Sequence, residues 1–150
     1  MPGYGVVGPD EGAGLLPWDW AESRLAASRA SWLATVGYDG RPHVSAVWTV
    51  WHDCALWFSC GGRTRKARHL RANGRCAMTS EDPHEPVVVE GIATSISDLV
   101  VLAPVLDLYA AKYGAPPPEV GENPVFAIRP TKVIALDDAD LGGTATRWMF

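Results

Sequence analysis

The stretch from Ser31 to Val50 limits the fold more than any other part of the chain. A β-like run, Ser31-Trp32-Leu33-Ala34-Thr35-Val36, meets Gly37-Tyr38-Asp39-Gly40, and an extended run from Pro42 to Val50 follows. The Asp-Gly pair supplies the left-handed backbone of a tight hairpin, so the two runs are predicted to pair antiparallel. A turn at Trp51-His52-Asp53 then leads into an apolar strand, Ala55 to Cys60. Further strands are read at Cys76–Ser80, Val87–Ile96, Val125–Ile128 and Thr131–Leu136.

Helical signals interrupt these strands. Asp19 and Glu22 form a D-x-x-E capping box ahead of a short helix over Trp20 to Arg29. A second helix runs from about Thr64 to Asn73, with Gly74 placed to end it in a left-handed conformation. A third occupies part of Asp98 to Tyr113 and is closed by Gly114. Pro104 is too deep for a first-turn proline, which predicts a late start or a bend there. Glu81 to Pro86 reads as a polar loop, Ala115 to Pro118 as a rigid one. Short antiparallel strands, helices at intervals and no internal repeat predict a mainly β fold. A β-barrel with added helices fits this pattern better than a doubly wound sheet.

The 150 residues make about one domain, with enough apolar content, 47%, for a real core. Residues 1–17 hold five Gly and three Pro without an apolar period, so a flexible N-terminal arm or a draped tail precedes a single domain over 18–150. No apolar run approaches the ~20 residues needed to span a bilayer, and no secretory-signal pattern opens the chain. Cys54, Cys60 and Cys76 are odd in number and lack C-x-x-C spacing, which points to thiols in a reducing cytoplasm and away from a metal site.

The chemistry concentrates in Gly61-Gly62-Arg63-Thr64-Arg65-Lys66-Ala67-Arg68-His69-Leu70. Of 13 Lys+Arg, six (Arg63, Arg65, Lys66, Arg68, Arg71 and Arg75) fall in or just after this segment, although the chain carries a net charge of −4. Glycines that let the backbone turn sharply, unpaired amides at a helix start and clustered cations together favour a bound phosphate. A basic focus on an acidic body suits a small anionic ligand better than nucleic acid. No Ser/His/Asp set, H-E-x-x-H or paired carboxylates stand beside it, as suits a protein whose cofactor supplies the reactivity.

The ordered segments "WLATVGYDGRPHVSAVWTVW", "ALWFSCGGRTRKARHL", "VVVEGIAT", "LYAAKYG" and "TRWMF" resemble the split β-barrel flavin and deazaflavin oxidoreductases of the pyridoxamine 5′-phosphate oxidase superfamily, over about residues 18–150. Within it they look most like the actinobacterial branch that uses coenzyme F420. The resemblance implies a homodimer with the cofactor near the interface. It places His43, Val44, Ser45, Ala46, Val47 and Trp48 along the isoalloxazine or deazaflavin ring, with Ser59 and Cys60 facing it. Arg65 and Lys66 would hold the cofactor phosphate, helped by Arg63 and Thr64. Arg147 and Trp148 would reach the cofactor region in the dimer. Where pyridoxamine 5′-phosphate oxidase has a lysine beside the ring, this chain has Trp48, and that enzyme's C-terminal substrate-binding segment has no clear counterpart here; vitamin B6 activity is not implied.

The implied activity is hydride transfer from reduced F420 to an electron-poor C=C, C=N or quinone-like acceptor. An FMN oxidoreductase of the same fold and a non-catalytic flavin- or deazaflavin-binding protein are the alternatives. Trp48 and Trp57 are each either core or ring wall. His43 is either a donor to a ring carbonyl or a structural histidine. Arg68 and Arg71 read as surface or dimer residues, and Tyr109, Lys112 and Tyr113 as packing and capping residues. No proton donor is identified.

Overall fold

The computed structural model describes residues 8, 10–114, 122–140 and 142–150; the loop read at 115–118 and most of the first nine residues lie outside these. The chain runs α1 (Trp18–Ala27), β1 (Ser31–Val36), β2 (Pro42–Val47), β3 (Val50–His52), β4 (Ala55–Ser59), α2 (Arg65–Ala72), β5 (Arg75–Ser80), β6 (Val87–Ile96), α3 (Leu99–Tyr113), β7 (Val125–Ala135) and β8 (Thr146–Met149). The strands form one antiparallel sheet in the order β2-β1-β5-β6-β7-β4-β3, with β8 added on β7.

The run from Pro42 to Val50 is not one strand. It breaks at Trp48-Thr49, and β2 and β3 lie at opposite ends of the strand order. Three Cα–Cα steps reach at most about 11 Å, so the two ends of the sheet must come together where the chain crosses. The sheet therefore curls into a barrel whose seam is bridged by two residues. The turn expected at Trp51-His52-Asp53 falls instead at Asp53-Cys54, where φ values of 48° and 52° give a tight β3–β4 hairpin. Arg129 holds this turn, donating to the Asp53 carboxylate at 3.3 Å and to its carbonyl at 3.4 Å. The β1–β2 hairpin is as read, with Gly40 at φ 75°.

The two closing strands are a single one. β7 pairs with β6 along its whole length, and the register shifts between Glu90 and Gly91, opposite Lys132 and Pro130. Thr131 is the extra residue, its hydroxyl donating to the Glu90 carbonyl at 3.1 Å. Pro130, with no amide to offer the ladder, fits at such a bulge. A Cβ on Gly91 would stand 2.3 Å from the Arg129 carbonyl oxygen, so only glycine permits this approach.

The helices differ from expectation at their ends. α1 starts at Trp18 after Pro17, and no side chain caps it. Glu22 instead accepts from Trp51 Nε1 at 2.8 Å, a tertiary bond that takes it from the capping box. α2 ends in extended backbone at Asn73, and Gly74 serves a close approach: its carbonyl accepts from Ala93 N at 2.8 Å. α3 begins at Leu99, capped by Asp98, and runs through Pro104 to Gly114 at φ 63°. It does not start late, and it continues past the proline.

Two apolar clusters share the sheet. Phe58, Leu56, Leu33, Met78, Phe126 and Ile128 fill the barrel with α1 and α2 residues Leu25 and Leu70. Trp57, Val50, Val125 and Ala127 face α3 through Leu102, Val105 and Tyr109. β4 is thus buried on both faces, which is why its sequence is a continuous apolar run. Of residues 1–17, the described part lies along β8: Leu16 N donates to Thr146 Oγ1 at 2.8 Å, and Arg147 pairs with Asp10 at 2.5 Å. No described helix is long and apolar enough to cross a membrane.

Candidate functional site

A cavity of about 440 Å³ opens where the seam meets the end of β4 and the start of α2. Ala30, Ala46, Val47, Trp48, Ser59, Cys60, Gly61, Lys66, Tyr109 and Asn123 line it. Six of these, Ala46, Val47, Trp48, Ser59, Cys60 and Lys66, were singled out in the sequence. The seam explains the convergence. β2 ends at one edge of the sheet and β4 is next to the other, so curling brings Val47 and Ser59 together.

Thr64 begins α2 as its N-cap. Its hydroxyl donates to the Gly61 carbonyl at 2.8 Å and accepts from Ala67 N at 3.4 Å. The amides of Arg65 and Lys66, the first two helical positions, have no intrahelical acceptor. Arg71 reaches back along the helix, Nη1 donating to the Gly62 carbonyl at 2.6 Å. Arg71 is therefore a brace for the glycine turn and not simply a surface residue.

Arg65 and Lys66 part company. Lys66 lines the 440 Å³ cavity, whereas Arg65 lines a smaller one of about 290 Å³ with Gly37, Tyr38, Asp39, Arg68 and His69. Adjacent helical positions point about 100° apart, so one pair cannot face one wall. Arg63 and Thr64 border a third space of about 690 Å³ with Gly61, Gly62, Glu122 and Asn123; Gly61 and Asn123 are common to it and the first cavity.

His43 and Ser45 share the face of β2 that carries the buried Val47, while Val44 lies on the exposed face. The His43 ring stands edge-on to His69 at 5.8 Å. Burial, then the charges of Arg65, His69 and Lys66, hold its pKa below the usual value, so it is neutral at pH 7. Among the described residues, Ser45 Oγ is the buried side-chain oxygen with no hydrogen-bond partner. Burial pushes the Cys60 thiol up, with Thr64, Lys66 and Arg71 acting in the other direction; it stays protonated at neutral pH. Trp57 is core, with its Nε1 donating to the His52 carbonyl at 2.9 Å.

Arg147 and Trp148 are not brought to this cavity within one chain. Trp148 packs edge-on against Trp18 at 5.4 Å, and β8 holds both beside Lys132–Ala135 of β7, at the other end of that strand from the Val125–Ile128 stretch that pairs with β4. Tyr109, Ala30 and Asn123 line the cavity without having been singled out for it, and Gly61 belongs to the glycine turn read in the phosphate segment. Tyr109 had a sequence signal, its four-residue spacing from Val105 and Tyr113, which puts all three near one face of α3. Burial raises its pKa, so its hydroxyl is protonated at any physiological pH.

A curled antiparallel sheet with a phosphate-suited helix start at its seam defines a split β-barrel of the flavin-binding oxidoreductase type. The family model described as pyridoxamine 5′-phosphate oxidase matches residues 19–137, and the chain belongs to that family, whose members are mostly oxidoreductases with some binding proteins among them. A structure described as an F420 reductase is 30% identical, covers 75% of this chain and 94% of its own, and superposes with a TM-score of 0.62. A conserved hypothetical protein from Mycobacterium tuberculosis shares the fold at 22% identity over 85% of this chain and 88% of its own, TM-score 0.72. General Stress Protein 26 from Bacillus anthracis does so at 16% identity over 88% of this chain and 97% of its own, TM-score 0.70. No curated protein matches the sequence.

Proposed function

We propose that this chain is a reductase that uses reduced F420 to transfer a hydride to an electron-poor small organic acceptor, an activated C=C, a C=N or a quinone-like ring. The observation that carries the reading is the convergence of Lys66, the strand end Ser59-Cys60 and the flat side chain of Trp48 on one cavity of about 440 Å³. That volume is in the range of small-molecule sites. The likeness to an F420 reductase at 30% identity supports the choice of deazaflavin.

The residues present fit such a cofactor. The free amides at the start of α2 are donors that lack acceptors, and a ribityl phosphate supplies acceptors. Lys66 would hold the phosphate with the Arg65 and Lys66 amides, and Thr64 would keep the helix start in shape. Arg63, in the neighbouring space that shares Gly61 and Asn123 with the first cavity, would meet the carboxylates of the F420 tail; Glu122 in the same space opposes it. When bound, reduced F420 supplies the hydride. Ala46, Val47 and Trp48 would lie along the ring and exclude water. His43 and Cys60, both neutral, add no charge that would disturb an electron-rich ring. The proton comes from water in this reading.

A second copy of the chain is part of the proposal. The face of the sheet formed by β1, β2 and β6 exposes Trp32 at 52%, Val36 at 44%, Val44 at 57% and Ile92 at 48%. That much apolar side chain on one sheet face supports a homodimer, with Arg147 and Trp148 available to the partner's site. Sedimentation of Val44→Arg, expected to be monomeric, against the dimeric parent tests it.

The FMN alternative shares the phosphate, so Lys66 does not separate the two. The deciding experiment is equilibrium titration with F420 and FMN at the same ionic strength, followed by turnover with each in reduced form. Tighter F420 binding that weakens when the glutamyl tail is shortened, with Arg63→Ala abolishing that dependence, supports the reading. Tight FMN binding without measurable F420 binding replaces it with the flavin enzyme. Binding without turnover of any acceptor makes the chain a binding protein.

A further inference from the structure

The seam residues Trp48 and Thr49 belong to no strand, yet Thr49 is fully buried. Buried amides and carbonyls need partners, and here the sheet does not supply them all. The C-terminal half of α3 does. The Tyr109 hydroxyl donates to the Trp48 carbonyl. Tyr113 Oη accepts from Thr49 N at 2.8 Å, and its single proton is shared between the carbonyls of Thr49 at 2.6 Å and Arg29 at 2.8 Å. Lys112 Nζ donates to the Thr49 carbonyl at 3.0 Å and to that of Ala26 at 2.7 Å. Ser31 Oγ lies 3.0 Å from Thr49 Oγ1.

The same helix end also holds the Trp48 side chain. The Tyr113 ring stacks on the Trp48 ring at 4.8 Å and 7° from parallel, and Tyr109 supports Tyr113 at 5.2 Å. With one face against Tyr113, Trp48 remains 55% exposed and lines the cavity. An indole attached to a two-residue crossover would otherwise have several rotamers; a stack on a ring anchored by three hydrogen-bonding contacts selects one.

We infer that Tyr109, Lys112 and Tyr113 form a clasp on the barrel seam and that Tyr113 is a positioning residue, which sets the Trp48 wall and thereby the width of flat acceptor that the cavity admits. The assignment of an acceptor to this wall rests on the function proposed above; the clasp itself does not. Tyr113→Phe keeps the stack and loses the hydroxyl. Tyr113→Leu loses both, and Tyr113→Gln, which keeps a hydrogen-bonding end without a ring, carries the stacking comparison if the leucine variant does not fold.

Two measurements test the clasp. The first needs no cofactor: acrylamide quenching of Trp48, taken as the difference between each protein and its Trp48→Phe counterpart. Tyr113→Leu is expected to raise Trp48 accessibility about twofold or more, with Tyr113→Phe near the parent, because removal of a stacked ring uncovers one indole face. Unchanged accessibility in Tyr113→Leu overturns the clasp. The second uses reduced F420 with a single-ring and a fused three-ring quinone. Tyr113→Leu should change the ratio of their KM values about fivefold, the scale of one aromatic stack, while the F420 Kd holds within about twofold. That change should vanish in a Trp48→Ala background. An unchanged ratio, or an equal effect without Trp48, overturns the positioning role. If neither quinone is reduced, the function proposed above loses its quinone-like acceptor, and quenching alone decides the clasp.

Discussion

Arg71, at the far end of α2, donates through Nη1 to the carbonyl of Gly62, 2.6 Å away, and so ties the last turn of the helix to the turn before its first. A Cβ on Gly62 would lie 2.8 Å from the Glu122 carbonyl oxygen and 3.3 Å from Arg71 Nη2, so the turn is held from both sides. Removal of the brace loosens the glycine turn while the helix-start cations stay in place. Arg71→Ala is expected to lower stability by about 1 kcal/mol, the net value of one hydrogen bond, and to weaken cofactor binding about fivefold. Urea unfolding and F420 titration check both; Arg71→Lys, without the planar fork, should restore only part.

Lys66 is the cation that lines the 440 Å³ cavity. Lys66→Ala should weaken binding of a phosphate-bearing cofactor by about 1.5–3 kcal/mol, the range for a hydrogen bond to a charged group. Arg75→Ala, on an exposed position of β5, should leave Kd within about twofold, since a solvated charge at a distance is screened. Titrations of both variants at two salt concentrations measure this. Equal losses would mean that diffuse charge, and not this site, binds the ligand.

Phe58 is fully buried and stacks on Phe126, with ring centroids 5.4 Å apart and planes 19° from parallel. It lies on β4 two residues before Cys60, which packs against the same barrel cluster. Phe58→Ala should cost about 3–5 kcal/mol of unfolding free energy, as large buried aromatics do when truncated. Phe58→Leu should recover more than half. Denaturant midpoints at constant m-value are the measurement.

His84 Nδ1 lies 2.5 Å from Asp138 Oδ2 and joins the loop before β6 to the 3₁₀ turn Asp138–Asp140. The hydrogen bond to Asp138 and its charge, with a smaller contribution from Asp82, raise the His84 pKa above 6.5 despite a small opposing effect of desolvation. A raised folded-state value means that the pair stabilises fully below the unfolded value near 6.5 and loses its contribution as pH rises through the folded value. The Tm difference between the parent and His84→Gln should therefore be largest near pH 5.5 and shrink toward pH 8. A difference that grows with pH would contradict the pairing.

Much of this molecule was open to reading from residue order, for identifiable reasons. Ser31–Val36 and Val87–Ile96 match β1 and β6 residue for residue, because β-branched and apolar residues between turn formers leave little choice. Asp39-Gly40 marked its hairpin, and Gly114 closed α3, because both positions need positive φ. Misreadings fell where a distant partner outweighed a local rule. Glu22 left the capping box for the Trp51 indole, and Gly74 served Ala93 instead of a helix end. Two short runs near 130 became one strand because β6 paired across Pro130.

For the site, residue order marked the glycine turn, the cations and the strand ends that meet in the cavity, since composition and spacing record those directly. Tertiary structure decided that Pro42–Val50 supplies two strands at opposite edges of one sheet, that Lys66 and Arg65 serve different cavities, and that the end of α3 grips Trp48 and Thr49. Backbone preference and side-chain alternation act over a few residues and are written in order along the chain. Curling of the sheet and docking of α3 depend on contacts more than sixty residues apart, such as Tyr109 with Trp48 and Tyr113 with Thr49, which no local pattern specifies.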